Sequence, residues 1–238
     1  QTWVDMAMRF SEFRTKLKKK EVRVHGGRLQ IHQFPAMFYG NEYDEVTEGQ
    51  ASDMIDTIKK ESIAMSKIDN KLSVNVGKTI VMADVSGSMD VQIAGDVLAI
   101  DVSACIGWIV SQLSCQQFRD RVMTFSEVPT WVDTSKCKTH RERFLKIRSA
   151  PWGGSTNFEA AYELILNVAK RESMSRDDMS GLTLLVVSDM QFGVANNSKS
   201  KWDTSYETLK RRFFEEGYDV PRIVFWNLAA RTTQGFVV

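Results

Sequence analysis

From Lys78 onward, short apolar runs alternate with amphipathic stretches, and no other feature of the chain limits its fold so tightly. The runs are Thr79 to Ala83, Arg121 to Phe125, Leu182 to Val187 and Arg222 to Leu228. Consecutive rather than alternating apolar residues suit strands buried on both faces, as in a parallel sheet. Helical patterns separate them, over Ile93 to Leu113, His140 to Arg148, Asn157 to Lys170 and Ser205 to Glu216. In the third of these, Phe158, Ala161, Leu164 and Val168 recur at the spacing of one helix face. Thr204 with Glu207 reads as a capping box for the last, and Gly217 as its stop. Glu127-Val128-Pro129 bends the chain toward Thr130-Trp131-Val132, a short antiparallel edge strand. Strand–helix alternation predicts an α/β fold, a doubly wound and mostly parallel sheet with helices on both faces.

Upstream of Lys78 the pattern differs. Trp3, Met6, Phe10, Phe13 and Leu17 form the stripe of one helix, which needs a partner surface on the main domain or on another chain. Lys18 to Tyr43, with Gly26, Gly27, Pro35 and Gly40, reads as mostly irregular. A second helix is predicted from the cap-like Ser52 to about Lys67, with Ile55, Ile58 and Met65 inward. The expected organisation is an N-terminal helical or irregular extension over residues 1–77 and an α/β domain over 78–238. Gln1 in place of Met, and an apolar run just beginning at Val238, lead us to expect a piece of a longer or processed polypeptide, cut short at the C-terminus.

Composition narrows the function classes. A net charge of +1 gives no whole-molecule field toward nucleic acid or an anionic membrane. The basic run Lys16, Lys18, Lys19, Lys20 and Arg23 reads as a solvated helix end, with RNA contact the less favoured alternative. Three cysteines without a C-x-x-C spacing suggest neither a disulfide framework nor a zinc site. With no signal-peptide pattern, the expected setting is intracellular (cytoplasmic) or the interior of a virion. Val97 to Leu113 is apolar but carries Asp101 and falls short of the roughly 20 residues a membrane span needs. A helix buried between layers is expected there, and no membrane association.

Ligands of doubly wound sheets sit beyond the carboxyl ends of the strands. There the first strand runs into Asp84-Val85-Ser86-Gly87-Ser88, and the third ends in Ser188-Asp189. Pro151-Trp152-Gly153-Gly154-Ser155-Thr156 delivers further hydroxyls just before a helix. Two carboxylates with neutral hydroxyls form a hard-oxygen set suited to Mg²⁺ or Mn²⁺. Each residue also has a plainer reading. Asp84 can cap a turn, Thr156 with Glu159 can be a helix capping box, and Asp189 can pair with a basic side chain. Met89 and Met190 read as packing, Trp152 as rim or core, and Asp96 and Asp101 as turn or groove residues. His25, His32 and His140 are too scattered for a triad, and neither a G-x-S-x-G elbow nor a phosphate loop is present. A phosphoaspartate mechanism at Asp84 would want a carboxylate where Ser86 stands. No enzymatic activity is expected.

The set Asp84-x-Ser86-x-Ser88, a Gly-Gly-Ser-Thr loop and an Asp ending the next hydrophobic strand resembles the metal-ion-dependent adhesion site (MIDAS) of von Willebrand factor A domains. The resemblance implies metal ligands at Asp84, Ser86, Ser88, Thr156 and Asp189, the last often acting through water. Ser155, an extra hydroxyl in the second loop, departs from that pattern and leaves the choice of hydroxyl open. The segments 83–89, 151–158, 188–192 and 223–228 are similar to a family of unassigned activity in plants, fungi, bacteria and large DNA viruses. Its members carry an A-like domain after a helical region and are distantly similar to Ro (TROVE) RNA-binding ring proteins. Glu21 to Phe34 and Ala51 to Lys67 resemble the end of that helical region, and the family usually continues past the position of Val238. The expected function is a cation-dependent protein-interaction module in which Mg²⁺ or Mn²⁺ meets an Asp or Glu of a protein partner. The alternatives are a self-assembling structural protein, viral in the sense of that resemblance, and a Ro-like RNA-binding component.

Overall fold

The computed structural model describes residues 3–41, 43–66, 75–151, 156–189 and 199–228. In chain order, α1 (Trp3–Lys18), α2 (Phe34–Tyr39) and α3 (Glu45–Ser66) precede β1 (Thr79–Ala83). A hairpin of β2 (Gln92–Ala94) and β3 (Val97–Leu98) then leads into α4 (Ala99–Leu113). Next come β4 (Arg121–Thr124), β5 (Trp131–Asp133), α5 (His140–Arg148), α6 (Phe158–Arg171) and α7 (Arg176–Met179). The described chain closes with β6 (Thr183–Ser188), α8 (Lys199–Glu215) and β7 (Arg222–Asn227).

Among the described residues, the main sheet has five strands in the order β5-β4-β1-β6-β7. β1 is parallel to β4 and β6, β6 is parallel to β7, and only β5 runs antiparallel, on the edge beside β4. The chain thus builds outward from β1, then crosses back to place β6 on its other side. That reversal leaves a crevice between β1 and β6, because the following helices depart to opposite faces. Ile80 and Met82 point to the layer of α6 and α8, with Leu184, Val186, Leu209 and Phe213. Val81 and Ala83 point to the layer of α4, with Leu185, Val187, Ile106 and Trp108. The strand period of two sorts one apolar run into two cores. The expected α/β fold with helices on both faces is the observed one.

Several boundaries differ from the sequence reading, each for a local reason. The segment 92–98, expected as the start of the long helix, is a hairpin turning at Gly95 (φ +55°). Ile93 and Val97 still pack on the core, so their spacing mimicked a helix face. α3 starts at Glu45 rather than Ser52, because Asp44 Oδ1 accepts from the Val46 and Thr47 amides at 2.9 and 3.1 Å. Ser52 lies inside the helix and donates back to the Glu48 carbonyl at 3.0 Å. The stretch expected as irregular contains a 3₁₀ turn, Ile31–Gln33, and α2, with Pro35 in the first turn, where its missing N–H costs nothing. α8 opens at Lys199, which puts Thr204 and Glu207 inside the helix rather than at its cap. Its stop is as expected: Gly217 adopts φ +80°, and the Tyr218 amide returns to the Phe213 carbonyl at 2.8 Å.

The N-terminal elements share the core of the sheet layer. Phe34, Phe38, Ala51 and Met54 are buried in one cluster with Trp108 and Phe144, and the Phe38 ring lies 5.3 Å from each of those two aromatics. The glycine pair fastens this segment to α3: the Gly26 and Gly27 amides donate to Asp53 Oδ2 at 2.8 and 3.1 Å. A Cβ at Gly26 would fall 1.9 Å from the Gln50 carbonyl oxygen, so only glycine allows this approach. α1 leans on α3 through half-buried Phe13 and Leu17 and through Arg14 and Lys18, which both pair with Glu45. Met6 and Phe10 of its stripe are open, each about half exposed at 53% and 52%. Among the described residues, no helix is long and apolar enough to cross a membrane.

His140 knots α3, α4 and α5 together. Trp108 Nε1 donates to its Nδ1 at 3.1 Å, and Ser52 Oγ lies 3.0 Å from its Nε2. Its backbone amide donates to both oxygens of Glu48 at 3.0 Å. A ring that accepts at Nδ1 carries its proton on Nε2 and is neutral. Burial, and then the Arg143 charge, pull its pKa down to about 4. Glu48 Oε1 lies 3.8 Å from Nε2, and burial chiefly pushes that carboxyl up. A depressed folded-state value means that the unfolded chain binds the proton first as pH falls. The His140 contribution should therefore be complete above about pH 6.5 and drain away toward pH 4, a loss on the order of 3 kcal/mol. Urea unfolding across that window should show the decline, and His140→Asn should flatten it. An equally steep decline in the variant would assign the acid sensitivity to other groups.

Candidate functional site

β1 and β6 are the strands between which the sheet order reverses, and their register pairs Ala83 with Val187. One step further, Asp84 and Ser188 stand side by side at the carboxyl edge. The Asp84 amide donates to the Val187 carbonyl at 2.9 Å and so continues the ladder by one rung. The Asp84 side chain belongs to a residue only 1% exposed. Its Oδ1 accepts from the Ser86 amide at 2.9 Å, and its Oδ2 from the Ser188 hydroxyl at 2.8 Å. The plain turn-capping reading of Asp84 is thus correct as far as it goes. It leaves a second fact to explain, since the fold also buries Asp189, 6% exposed, close enough that its charge acts on Asp84. Burial chiefly, and the Asp189 charge in addition, push the Asp84 carboxyl above the ordinary range, against hydrogen bonds from Ser86 and Ser188 that lower it.

The hydroxyls stand toward solvent. Ser86 Oγ and Ser88 Oγ are 3.0 Å apart, with Ser86 half-buried and Ser88 exposed. Beneath them Met89 is fully buried, a packing residue as expected. Thr156 arrives from the neighbouring strand: the Asn157 amide donates to the Ser126 carbonyl at 3.2 Å, just beyond β4, whose Thr124 pairs with Ala83. Thr156 is buried at that same edge. The cap of α6 is Asn157, whose side chain accepts from the Ala160 amide at 3.0 Å, and not the expected Thr156 with Glu159. The helix start therefore has no need of the Thr156 hydroxyl. Asp84, Ser86, Ser88 and Asp189 are gathered at the β1–β6 crevice, and Thr156 is delivered to the same sheet edge. Trp152, Gly153, Gly154, Ser155 and Met190 lie outside the described residues.

Among the described residues, no three His, Cys, Asp or Glu side chains converge to hold a metal ion. Any cation at this edge would depend on hydroxyl oxygens beside the two carboxylates. A Ser–His pair does occur, Ser52 with His140. Trp108 donates to Nδ1, which puts the ring proton on Nε2, so this imidazole is in the wrong tautomer to take the Ser52 proton.

Two features escaped the sequence reading as functional elements. Ser188 holds Asp84, and the parallel register that pairs Ala83 with Val187 is the signal that would have shown it. Asp101 is buried and accepts at Oδ1 from the Tyr39 hydroxyl at 2.7 Å and from Arg148 Nε at 3.1 Å. Burial first, then Asp101, push the Tyr39 hydroxyl up to about 12, so it stays a donor.

Residues 78–238, from the start of β1 onward, match the family described as a domain of unknown function, DUF7788. The chain belongs to the DUF7788 family. This DUF7788 chain is 28% identical over 226 residues to "Uncharacterized protein L728" of Acanthamoeba polyphaga mimivirus. The match takes in 94% of the chain and 36% of that protein, so the chain spans about a third of the viral relative's length. Among solved structures, it is similar to the Deinococcus radiodurans RO (RSR) protein, with a TM-score of 0.46 at 13% identity. That likeness covers 81% of this chain and 33% of the other.

The capping assignment gives a direct check on this DUF7788 site. Asn157→Ala should cost about 1 kcal/mol in urea unfolding, as the loss of a helix cap does. No measurable loss would return the capping role to Thr156.

Proposed function

We propose that this chain is a divalent-cation-dependent protein-interaction module, with Mg²⁺ or Mn²⁺ held by Asp84, Ser86, Ser88, Thr156 and Asp189. The observation that supports this most is the burial of two mutually repelling carboxylates at the crevice of the sheet, under a pair of adjacent hydroxyls. Among the described residues no Lys or Arg forms an ion pair with Asp84. A small hard cation is the natural complement to such a set. The residues present fit it: every donor is an oxygen, and the Ser86 and Ser88 hydroxyls lie on the solvent side.

In this reading Asp84 carries most of the charge that holds the ion. The Ser188 hydroxyl and the Ser86 amide orient its two oxygens. Ser86 and Ser88 offer neutral oxygens, and Thr156 and Asp189 complete the set directly or through water. Two carboxylates balance a doubly charged ion, so the bound cation would supply an electrophilic centre for an Asp or Glu from a protein partner. A second reading, as an assembly scaffold, draws on the exposed Met6, Met8 and Phe10 of α1. Association that persisted in EDTA and in Asp84→Ala would favour it.

Isothermal titration with Mn²⁺ and Mg²⁺ tests the first reading. The wild type should bind one ion saturably, and Asp84→Ala should lose at least about tenfold in affinity. At a hundred times Kd the ion should stabilise the fold by about 2.7 kcal/mol. Identical titrations of the wild type and Asp84→Ala would contradict the proposal.

A further inference from the structure

We infer that α1 and the segment after it form a docking surface for an anionic lipid bilayer. Met6 and Phe10 enter the interface, and Arg9, Lys19, Lys20, Arg23 and Arg28 meet the headgroups. The contact is independent of the proposed cation site and holds the molecule on a membrane without spanning it.

Met6, Phe10, Phe13 and Leu17 follow one another at the spacing of a single helix face. α3 covers the far end of that stripe. Leu17 lies beside Gly49 there, and Arg14 and Lys18 are held by Glu45. Met6 and Phe10, at the near end, stay about half exposed. Arg9 and Lys16 stand on the flank of the stripe, three residues after Met6 and Phe13. One side of α1 thus carries apolar side chains bordered by cations. Met8 is exposed on the opposite side of the helix and plays no part.

The charge of the chain is small in sum and uneven in place. Residues 9–28 hold eight Lys or Arg against two Glu, while the whole chain carries +1, so the remainder is net acidic. A total near zero gives no long-range pull toward a membrane, which is why none was expected. A local contact answers instead to the nearby charges, since those beyond about 10 Å are screened. The dipole of α1 accounts for Lys16 and Lys18 in its last turn, and both are already engaged, with Glu12 and Glu45. It does not account for Arg23 and Arg28, which lie past the helix. Lys19, Lys20, Arg23 and Arg28 are exposed, and among the described residues none of the four forms an ion pair. Lys20 stands at φ +59°, in the left-handed position past a helix end that glycine usually takes. The chain keeps a basic side chain there although its backbone is strained.

The two features together select the partner. A nucleic-acid backbone would use the cations and leave Met6 and Phe10 in water. A second copy docked α1 against α1 would cover the apolar pair but bring two basic segments together. An anionic bilayer meets both, with apolar side chains at the acyl boundary and Lys and Arg among the headgroups.

Co-sedimentation of the full chain with vesicles, in EDTA so that no cation bridges the two, tests the contact. Vesicles of phosphatidylcholine alone are compared with vesicles holding about a third phosphatidylserine. Two variants accompany the wild type: Met6→Ser with Phe10→Ser, and Lys19→Ser with Lys20→Ser and Arg23→Ser. All five positions are exposed, so both variants should unfold at the wild-type temperature. The wild type should bind the anionic vesicles and not the neutral ones, and should release them as salt rises above about 0.1 M. Loss of the three cations should weaken binding about a hundredfold, near fivefold for each. Loss of the apolar pair should weaken it about tenfold. Failure of the wild type to sediment with anionic vesicles overturns the proposal, as does undiminished binding by either variant. Single-stranded RNA retained by the wild type and lost by the Lys19 variant, with no vesicle binding, overturns it in favour of nucleic acid. A concentration-dependent dimer abolished by Met6→Ser with Phe10→Ser, again with no vesicle binding, overturns it in favour of self-assembly.

Discussion

Asp84 is a carboxylate that the fold has taken out of water and set beside another. Burying one ionised acid is costly, and burying a second within reach of its field raises the cost further. The sheet tolerates the pair because the chain leaves β1 and β6 toward opposite faces beyond that point and because the Ser86 amide and the Ser188 hydroxyl each satisfy one Asp84 oxygen. The remaining repulsion is a property of the sheet topology itself. Strands that left in the same direction would close over this edge, whereas the reversal of order at β1 and β6 holds it open. In the proposed reading, a site built in this way would take up something positively charged and small.

The N-terminal segment belongs to the same construction. Phe34 and Phe38 pack on Trp108, the indole N–H of Trp108 is satisfied by His140, and His140 is in turn held by Ser52 and Glu48 of α3. One buried tautomer thus links an aromatic core to a polar interface. Tyr39 extends the link to Asp101 and Arg148. Residues ahead of the match to the DUF7788 family therefore support the sheet layer that the match covers.

Much of this was legible in the residues. The four long strands were visible because a strand buried on both faces must be apolar at successive positions, and Ile80-Val81-Met82 or Leu184-Leu185-Val186 have no other easy reading. The short edge strand was visible from the bend before it, and the ends of helices from Gly217 and from the limits of α5. Helix starts were less legible, since several side chains compete for each cap. Asp44 outranked Ser52, Asn157 outranked Thr156, and α8 ran past the attractive Thr204. The hairpin at 92–98 was hidden because Ile93 and Val97 face one core from either geometry. At the candidate site, Asp84, Ser86, Ser88, Thr156 and Asp189 were singled out from spacing, strand ends and the adhesion-site resemblance. Ser188 required the register, and the contact of Tyr39 and Arg148 with Asp101 required three distant segments to meet, which no local pattern encodes.

Whether the crevice between β1 and β6 holds a hard cation decides the proposed function. Crystals grown with Mn²⁺ and measured at a wavelength where manganese scatters anomalously would locate the ion without reference to activity or affinity. A single strong peak within bonding distance of Asp84 and of the Ser86 or Ser88 hydroxyl is the predicted result. A map with no peak at Asp84, while Asp189 pairs with a basic side chain instead, would contradict it.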